Sequence, residues 1–109
     1  MLTEAPIRAV RTAAYKIPTD APESDGTLEW DSTTMVTVEI EAEGKTGFGY
    51  TYAHEAAARS VDGKLAEVLN GRDALAIRDC WHAMISACRN FGRPGIVACA
   101  VSACDIALH

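Results

Sequence analysis

The segment 95–108, GIVACAVSACDIAL, is apolar on almost every side, and this feature constrains the fold more than any other. Only Ser102 and Asp105 interrupt the pattern. The segment is shorter than the roughly 20 residues that cross a bilayer, so we expect no membrane partner. An all-round apolar helix must instead be surrounded by protein on most sides. Because the chain ends within the pattern and lacks a helix stop signal, we expect a further domain or a second subunit to help cover this helix.

Two further helices are predicted, at about 55–69 and about 74–89, with the third at about 95–108. The first carries apolar residues on one helical face, at Ala57, Val61, Leu65, Val68 and Leu69. The second carries a comparable stripe at Ile77, Cys80, Trp81, Met84, Ile85 and Cys88. Asp73 is expected to be the N-cap of the second helix, and Pro94 is expected to lie in the first turn of the third.

The front half of the chain is predicted to form strands at about 6–17, 33–42 and 46–53. Val36, Val38 and Ile40 alternate with polar residues, as in a half-buried strand. The third strand has aromatic side chains on one face and glycines on the other, namely Phe48, Tyr50 and Tyr52 opposite Gly47 and Gly49. We expect core or interface packing for the aromatic face, and a bulge or a close backbone approach at the glycines. The predicted fold is α+β, a three-stranded antiparallel meander followed by a helical bundle.

Residues 17–30, IPTDAPESDGTLEW, interrupt the strands with an acidic, proline-containing segment. Pro18, Pro22 and a glycine accompany four carboxylates, and no Lys or Arg lies among them. Proline removes a backbone donor and Asp, Ser and Gly favour turns, so the pattern predicts neither helix nor strand. Long loops of this kind are commonly functional or disordered. We therefore expect a long loop, residues 18–32, between the first two strands.

Charge and cysteine usage exclude several classes of function. The net charge of −5 and the lack of a basic stripe argue against a nucleic-acid partner. The first residues, MLTEAPIRAV, do not form a signal peptide, so we expect a cytoplasmic protein. The four cysteines form no Cys-x-x-Cys pair and have no histidine at zinc-site spacing. Reduced, buried structural thiols are the favoured interpretation, while a disulfide framework, a metal framework and Cys/His catalysis are the alternatives.

Four stretches in this order resemble a known domain: IRAVRTAAYKIP, TTMVTVEIEAEGKTGFGYTYA, LNGRD and RNFGRPGIVACAVSACDIAL. Together they are similar to the N-terminal capping domain of the enolase superfamily, in its mandelate racemase/muconate-lactonizing branch. The resemblance spans residues 1–109. The (β/α)₈ barrel that follows the cap in that family, about 250 residues in a typical barrel, is absent from this chain.

The resemblance implies that Mg²⁺ binds a substrate carboxylate while a Lys or His base removes the proton α to it. In the family these groups belong to the barrel, so we expect no catalytic residue and no metal ligand in this chain. The implied partners are the C-terminal barrel of the same protein, a small-molecule carboxylate and further copies of the chain. The implied activity is that of an acid-sugar dehydratase or a racemase/epimerase.

In the family the cap contributes to specificity through two loops, which correspond here to residues 18–31 and 50–54. The implied substrate-binding candidates are Thr19, Asp20, Glu23, Trp30, Tyr50, Tyr52 and His54. Each has a simpler alternative. The polar residues of the first loop, residues 18–31, which we call the lid, can be turn formers, and Trp30 can be a packing anchor. The tyrosines can be packing residues, and His54 can be a helix-start residue. An acidic lid repels a bare anion but can accept hydrogen bonds from hydroxyl groups or pair with an amine. This favours an acid sugar, with an amino-acid derivative as the second choice.

A free-standing interaction domain that self-associates through its third helix and has no catalytic activity is the alternative function. A folded, cooperative monomer or dimer without any barrel would favour that alternative. Exposed apolar surface and poor solubility of the isolated chain would favour the capping domain.

Overall fold

The computed structural model describes residues 4–24, 29–90, 92 and 94–109, and for residues 19–24 and 29–31 it describes the backbone alone. The strands are β1 Ile7–Ser24, β2 Glu29–Ala42 and β3 Lys45–Tyr52. The helices are α1 Ala56–Ser60, a π-helical segment Val61–Leu65, α2 Ala66–Leu69, α3 Ile77–Ala87 and α4 Ile96–Leu108. The predicted α+β fold, an antiparallel three-stranded meander followed by helices, is confirmed.

The first two strands are much longer than predicted, because the acidic segment is drawn into the sheet. The order is β1-β2-β3, and β1 pairs with β2 as far as Pro18 opposite Ser32. Pairing resumes with Glu23 opposite Trp30 and Ser24 opposite Glu29 after a register shift. The prediction of a loop is therefore wrong for residues 18–24 and 29–32, while residues 25–28 of that predicted loop lie outside the described residues. An edge strand tolerates proline, because one side of its backbone has no ladder partner, and the register shift absorbs the residues that cannot pair.

Two glycines let helix α4 lie directly against the sheet. Gly47 and Gly49 are on β3, and a Cβ atom at either position would overlap a backbone carbonyl oxygen of α4, that of Ala107 or that of Ala103 respectively. A Cβ at Gly49 would also lie 2.9 Å from the backbone nitrogen of Ala107. Of the two alternatives that the sequence left open, a close backbone approach is confirmed, since the β2–β3 register shows no shift.

The first predicted helix is helical throughout but contains the π-helical segment, inside which lies Gly63, a residue of weak helix preference. Asp73 is not the N-cap of the next helix, as the sequence suggested. Its carboxylate accepts hydrogen bonds from the backbone N–H of Ala5 at 2.9 Å and of Leu75 at 3.0 Å. Asp73 therefore ties the turn before α3 to the start of β1, and α3 begins only at Ile77.

The third helix also begins later than expected. Gly95 has φ 75° and is the N-cap of α4, so Pro94 precedes the helix instead of lying in its first turn. A positive φ is inexpensive only for glycine, which explains why the chain turns into the helix at this residue.

The core lies between the inner face of the sheet and the helices. Its buried members include Ile7, Val36, Val38, Ile40, Val61, Leu65, Leu69, Met84, Ala100 and Val101. Helix α4 is covered by the sheet on one side and by α1 and α3 on the other, but Ile106 remains half exposed. None of the helices in the described part of the chain is long and apolar enough to span a membrane.

The aromatic face of β3 is not part of this core, so of the two expected roles, core packing and interface packing, the first is excluded. Phe48, Tyr50 and Tyr52 are 54%, 49% and 60% exposed. They project from the side of the sheet that faces away from the helices, because their neighbours Gly47 and Gly49 face α4.

The cysteines are free, and three of them are buried in the core: Cys80, Cys88 and Cys104. Burial in apolar surroundings raises the pKa of all three thiols, and for Cys104 it raises the pKa to about 12. Cys99 is only partly buried. A raised pKa keeps a thiol protonated and unreactive at neutral pH, so these three side chains have the character of packing groups.

Replacing Gly49 with alanine should destabilise the fold by about 3 kcal/mol, because the new methyl group overlaps the Ala103 carbonyl and α4 must move away from the sheet. The free energy of unfolding from a urea titration measures the effect. Gly63→Ala is the matched control. Nothing lies within 4 Å of a Cβ at Gly63, so this change should be neutral or stabilise by about 0.5–1 kcal/mol. A Gly49→Ala protein as stable as the unsubstituted protein would contradict the close contact.

Alkylation at pH 8 should modify Cys99 first and Cys104 last, because the thiolate is the reacting species and burial keeps Cys104 protonated. Mass spectrometry of a time course, with the urea-unfolded protein as the control, measures the order. The folded-state pKa of Cys104 is raised above its ordinary value of 9.0, so the contribution of this thiol to stability should be complete below pH 9 and should be lost as the pH rises towards 12. Equal alkylation rates for the two cysteines in the folded protein would contradict this assignment.

Candidate functional site

A groove lies where the three-stranded part of the sheet passes into a two-stranded ribbon. The ribbon consists of residues 17–24 of β1 and 29–33 of β2, which extend beyond the end of β3. The groove has a volume of about 430 Å³. One wall is the middle of β1 and the other is the start of the helical region, with lining residues Thr12, Ala13, Ala14, His54, Glu55, Ala56, Ala58, Arg59 and Asp62. The ribbon is a continuation of the strand that forms the first wall, so the groove and the ribbon share one end of the molecule.

Strand pairing fixes the position of His54 at this end. The backbone N–H of Ala53 donates to the carbonyl of Thr34 at 3.1 Å, which continues the β2–β3 ladder to the residue before His54. Thr34 lies opposite Lys16. Two residues nearer the start of β2, Ser32 lies opposite Pro18. At a rise of about 3.4 Å per residue, the base of the ribbon is about 7 Å from the level at which His54 leaves the sheet.

The His54 side chain is held by the first turn of the helix that follows it. Its Nδ1 accepts a hydrogen bond from the backbone N–H of Ala56 at 3.0 Å, and its carbonyl accepts one from Ala57 at 2.9 Å. Because Nδ1 is the acceptor, the neutral imidazole carries its proton on Nε2. His54 therefore lies at the start of the helix, which is the simpler of the two roles expected for it. Its ring is exposed and lines the groove, and its Nε2–H has no hydrogen-bond partner among the described residues.

Charged side chains of both signs line the same groove. Arg59 and Asp62 lie one helical turn apart on the exposed side of α1 and the π-helical segment, and Glu55 precedes them. The hydroxyl of Thr12 is already engaged, since it donates to the carbonyl of Thr37 at 2.7 Å. The groove thus offers a guanidinium and an imidazole N–H as donors and two carboxylates as acceptors, a set suited to a polar ligand with several hydroxyl groups.

The seven predicted site residues do not all come together. His54 lines the groove, whereas Tyr50 and Tyr52 lie on the outer face of the sheet, away from the helices that form the second wall. Thr19, Asp20, Glu23 and Trp30 have their backbone in the ribbon, while their side chains lie outside the described part of the structure. Sequence reasoning did not single out Arg59 and Asp62. Their position on the polar side of the helix that carries Ala57 and Val61 was a usable signal.

The described residues do not form a metal site. Among residues 4–24, 29–90, 92 and 94–109, no three His, Cys, Asp or Glu side chains are grouped closely enough to hold an ion. The Nε2 of His109 lies 3.6 Å from the Oδ2 of Asp105, and this pair supplies two potential ligands only. The donor set of the described residues therefore does not fit Mg²⁺, and no step of metal chemistry is assigned to them.

Curated relatives match this chain over most of its length. The 3,6-anhydro-alpha-L-galactonate cycloisomerase of Streptomyces coelicolor is 38% identical over 111 residues, which cover 94% of this chain and 30% of the relative. The L-rhamnonate dehydratase of Saccharopolyspora erythraea is 40% identical over 73 residues, or 66% of this chain and 19% of the relative. The chain therefore spans less than a third of the length of either relative.

Solved structures have the same fold. A mandelate racemase/muconate lactonizing enzyme-like protein from Rubrobacter xylanophilus superposes with a TM-score of 0.92 at 52% identity, over 94% of this chain and 29% of the other. A racemase from Streptomyces coelicolor A3(2) with bound magnesium gives a TM-score of 0.90 at 39% identity, over 94% of this chain and 30% of the other. Residues 8–109 match the family described as mandelate racemase/muconate lactonizing enzyme, N-terminal domain. The chain belongs to this family of enolase-superfamily N-terminal domains.

Proposed function

We propose that this chain is the substrate-capping and specificity domain of a Mg²⁺-dependent enolase-superfamily enzyme that removes a proton α to a carboxylate. An acid-sugar dehydratase is the favoured activity, and a racemase or epimerase is the second. The observation that carries the proposal is the meeting of the ribbon base and His54 at one end of a chain that spans about 30% of its relatives. Such an end is suited to close over a site built by other residues.

The names of the curated relatives support the substrate class. One acts on an anhydro-galactonate and the other on L-rhamnonate, both of which are sugar acids. The ribbon of this chain carries Asp20, Glu23 and Glu29 and no Lys or Arg between residues 17 and 30. Carboxylates accept hydrogen bonds from hydroxyl groups but repel an anion, so they suit the polyhydroxylated end of a sugar acid and not its carboxylate.

The role of a cap is to exclude water and to orient the substrate. In this proposal the ribbon covers the site, and the Nε2–H of His54 and the Arg59 guanidinium donate to substrate oxygens. Strand β1 forms both one wall of the groove and one strand of the ribbon, so the ribbon lies next to the groove that these donors line. The proline residues at 18 and 22 limit the conformational entropy that is lost when the ribbon closes.

The magnesium ion and the base belong, in this proposal, to a C-terminal (β/α)₈ barrel of the same protein. Bound there, the ion would stabilise the negative charge that develops when the α-proton leaves. Structures of similar proteins contain magnesium, as in the Streptomyces coelicolor racemase. The proposal also includes association of the full-length protein into a homo-oligomer.

The full-length protein should dehydrate or epimerise at least one sugar acid in a panel that includes L-rhamnonate and galactonate, and chelation of divalent metal should abolish the reaction. Proton NMR in D₂O measures both activities, because α-proton exchange reports deprotonation even without net turnover. His54→Asn should lower kcat/KM about 10-fold or more, since asparagine can still accept the Ala56 N–H but lacks the distal N–H donor.

The matched control is His82→Asn, because His82 is exposed on α3 and lies outside the groove. This variant should keep the activity of the unsubstituted protein. Absence of α-proton exchange with every sugar acid in the panel would overturn the proposed function. Equal loss of activity in the His54 and His82 variants would retain the function but remove His54 from the site.

A further inference from the structure

The outer face of the sheet is an apolar surface that the described chain leaves open. The rings of Phe48, Tyr50 and Tyr52 form a continuous strip along β3, with centroid separations of 6.2 Å and 5.8 Å. On β1 the same face carries Tyr15, which is 52% exposed, and Ile17, which is 37% exposed. The largest apolar patch on a monomer commonly measures about 300–600 Å² and often marks a contact surface.

The strand register arranges this face in rows, because residues directly opposite each other on neighbouring strands share a face. Three successive rows, read from β1 to β3, are Arg11–Glu39–Phe48, Ala13–Thr37–Tyr50 and Tyr15–Met35–Tyr52. The first row is charged over β1 and β2. The third row is apolar across all three strands. The middle row combines small side chains on β1 and β2 with the central ring of the strip.

The charged side chains of the first row are already paired within the chain. The Arg11 guanidinium lies 3.4 Å from the Glu39 carboxylate and 3.3 Å from the Glu41 carboxylate, on the exposed surface. Both pairs cross from β1 to β2 and hold the long arginine side chain along the sheet. The three side chains together have a net charge of −1, so a partner surface that meets this row must not present further carboxylates.

We propose that this face binds the same face of a second copy of the chain, about a two-fold axis that crosses the strands at the row Ala13–Thr37–Tyr50. This inference rests on the proposed self-association and names its surface. With the axis across the strands, the first row of one copy covers the third row of the other. Arg11 then lies over the partner's Tyr15, and Phe48 lies over the partner's Tyr52. Arginine over an aromatic face is a favourable cation–π contact.

The other two-fold arrangement, with the axis along β2, is disfavoured by charge. It would place Glu39 over the partner's Glu39, and two carboxylates brought together at an interface repel each other. With the axis across the strands, Glu39 lies over the partner's Met35 instead. Twisted sheets pack face to face at about −30°, so the correspondence holds best near the axis, where Tyr50 meets the partner's Tyr50.

The size of the face agrees with a weak dimer contact. From residue 9 to residue 17 it extends about 27 Å along the strands, given a rise of ~3.4 Å per residue. It is about 14 Å wide over the ~20 Å where all three strands pair and about 10 Å wide beyond, given a strand spacing of ~4.8 Å. Two such faces bury roughly 700 Å² in plan, which the protruding rings increase towards the lower limit of about 1,000 Å² for specific interfaces. Helix α4 lies on the opposite side of the sheet, so none of the described helices covers this face.

Paired charge substitutions at Tyr50 test the axis directly. In the full-length protein, Tyr50→Lys alone and Tyr50→Glu alone should each raise the dissociation constant of this contact at least about 10-fold, because the axis places like charges against each other. An equimolar mixture of the two variants should recover association, since lysine then meets glutamate. Sedimentation velocity over a range of protein concentrations measures all three samples.

Leu75→Lys is the control, because Leu75 is 60% exposed and lies outside the sheet; it should leave association unchanged. A monomeric unsubstituted protein would overturn the inference, as would an oligomer that neither Tyr50 variant weakens. Two weakened variants that fail to recover on mixing would also overturn it, since the face would then be covered by other parts of the same protein. Sugar-acid turnover by the unsubstituted protein is scored separately, so failure of the interface and failure of the proposed function give different results.

Discussion

The contact between β3 and α4 determines the arrangement of the whole molecule. At Gly47 and Gly49 the sheet backbone meets the backbone of a helix at Ala103 and Ala107, with no side chain between them. This close approach places α4 in the centre, where the sheet covers one side and α1 and α3 cover the other. It also fixes the direction of the aromatic residues of β3, because side chains next to the glycines must project to the opposite face. One short G-x-G pattern thus determines both where the core lies and which surface remains open.

The sequence was sufficient for the architecture because the patterns were local. Alternation in 34–42 and the helical spacing of Ala57, Val61 and Leu65 describe single elements, and each is present in the structure. The start of α3 could not be predicted in the same way. Asp73 has the composition of an N-cap, but its carboxylate binds the N–H of Ala5, a contact 68 residues away in sequence. Long-range hydrogen bonds of this kind leave no local pattern.

The ribbon was missed for a related reason. Proline and acidic residues in 17–30 oppose strand formation when each residue is considered alone, yet β1 is an edge strand and its register shift relieves residues that cannot pair. For the candidate site, the sequence resemblance identified His54, but it could not show that its Nδ1 is engaged by Ala56 and that Nε2 is the free donor. It also grouped Tyr50 and Tyr52 with His54. Strand alternation in the structure separates them, because the tyrosines face away from the helices.

The structure therefore has two surfaces with different chemistry. The groove with His54, Arg59 and Asp62 is polar and lies at the base of the ribbon, while the outer face of the sheet is aromatic and lies along its length. A domain that caps a site built elsewhere needs a polar end that reaches the substrate and a separate surface for assembly.

Amide hydrogen exchange of the full-length protein tests the capping role most directly. With Mg²⁺ and a sugar acid that the protein turns over or binds, peptides covering residues 18–32 and 50–56 should exchange more slowly than without the sugar acid, because closure removes their backbone from water. Peptides from α3, away from the groove, should be unchanged. Equal exchange of the ribbon and the His54 segment with and without bound ligand would contradict the account.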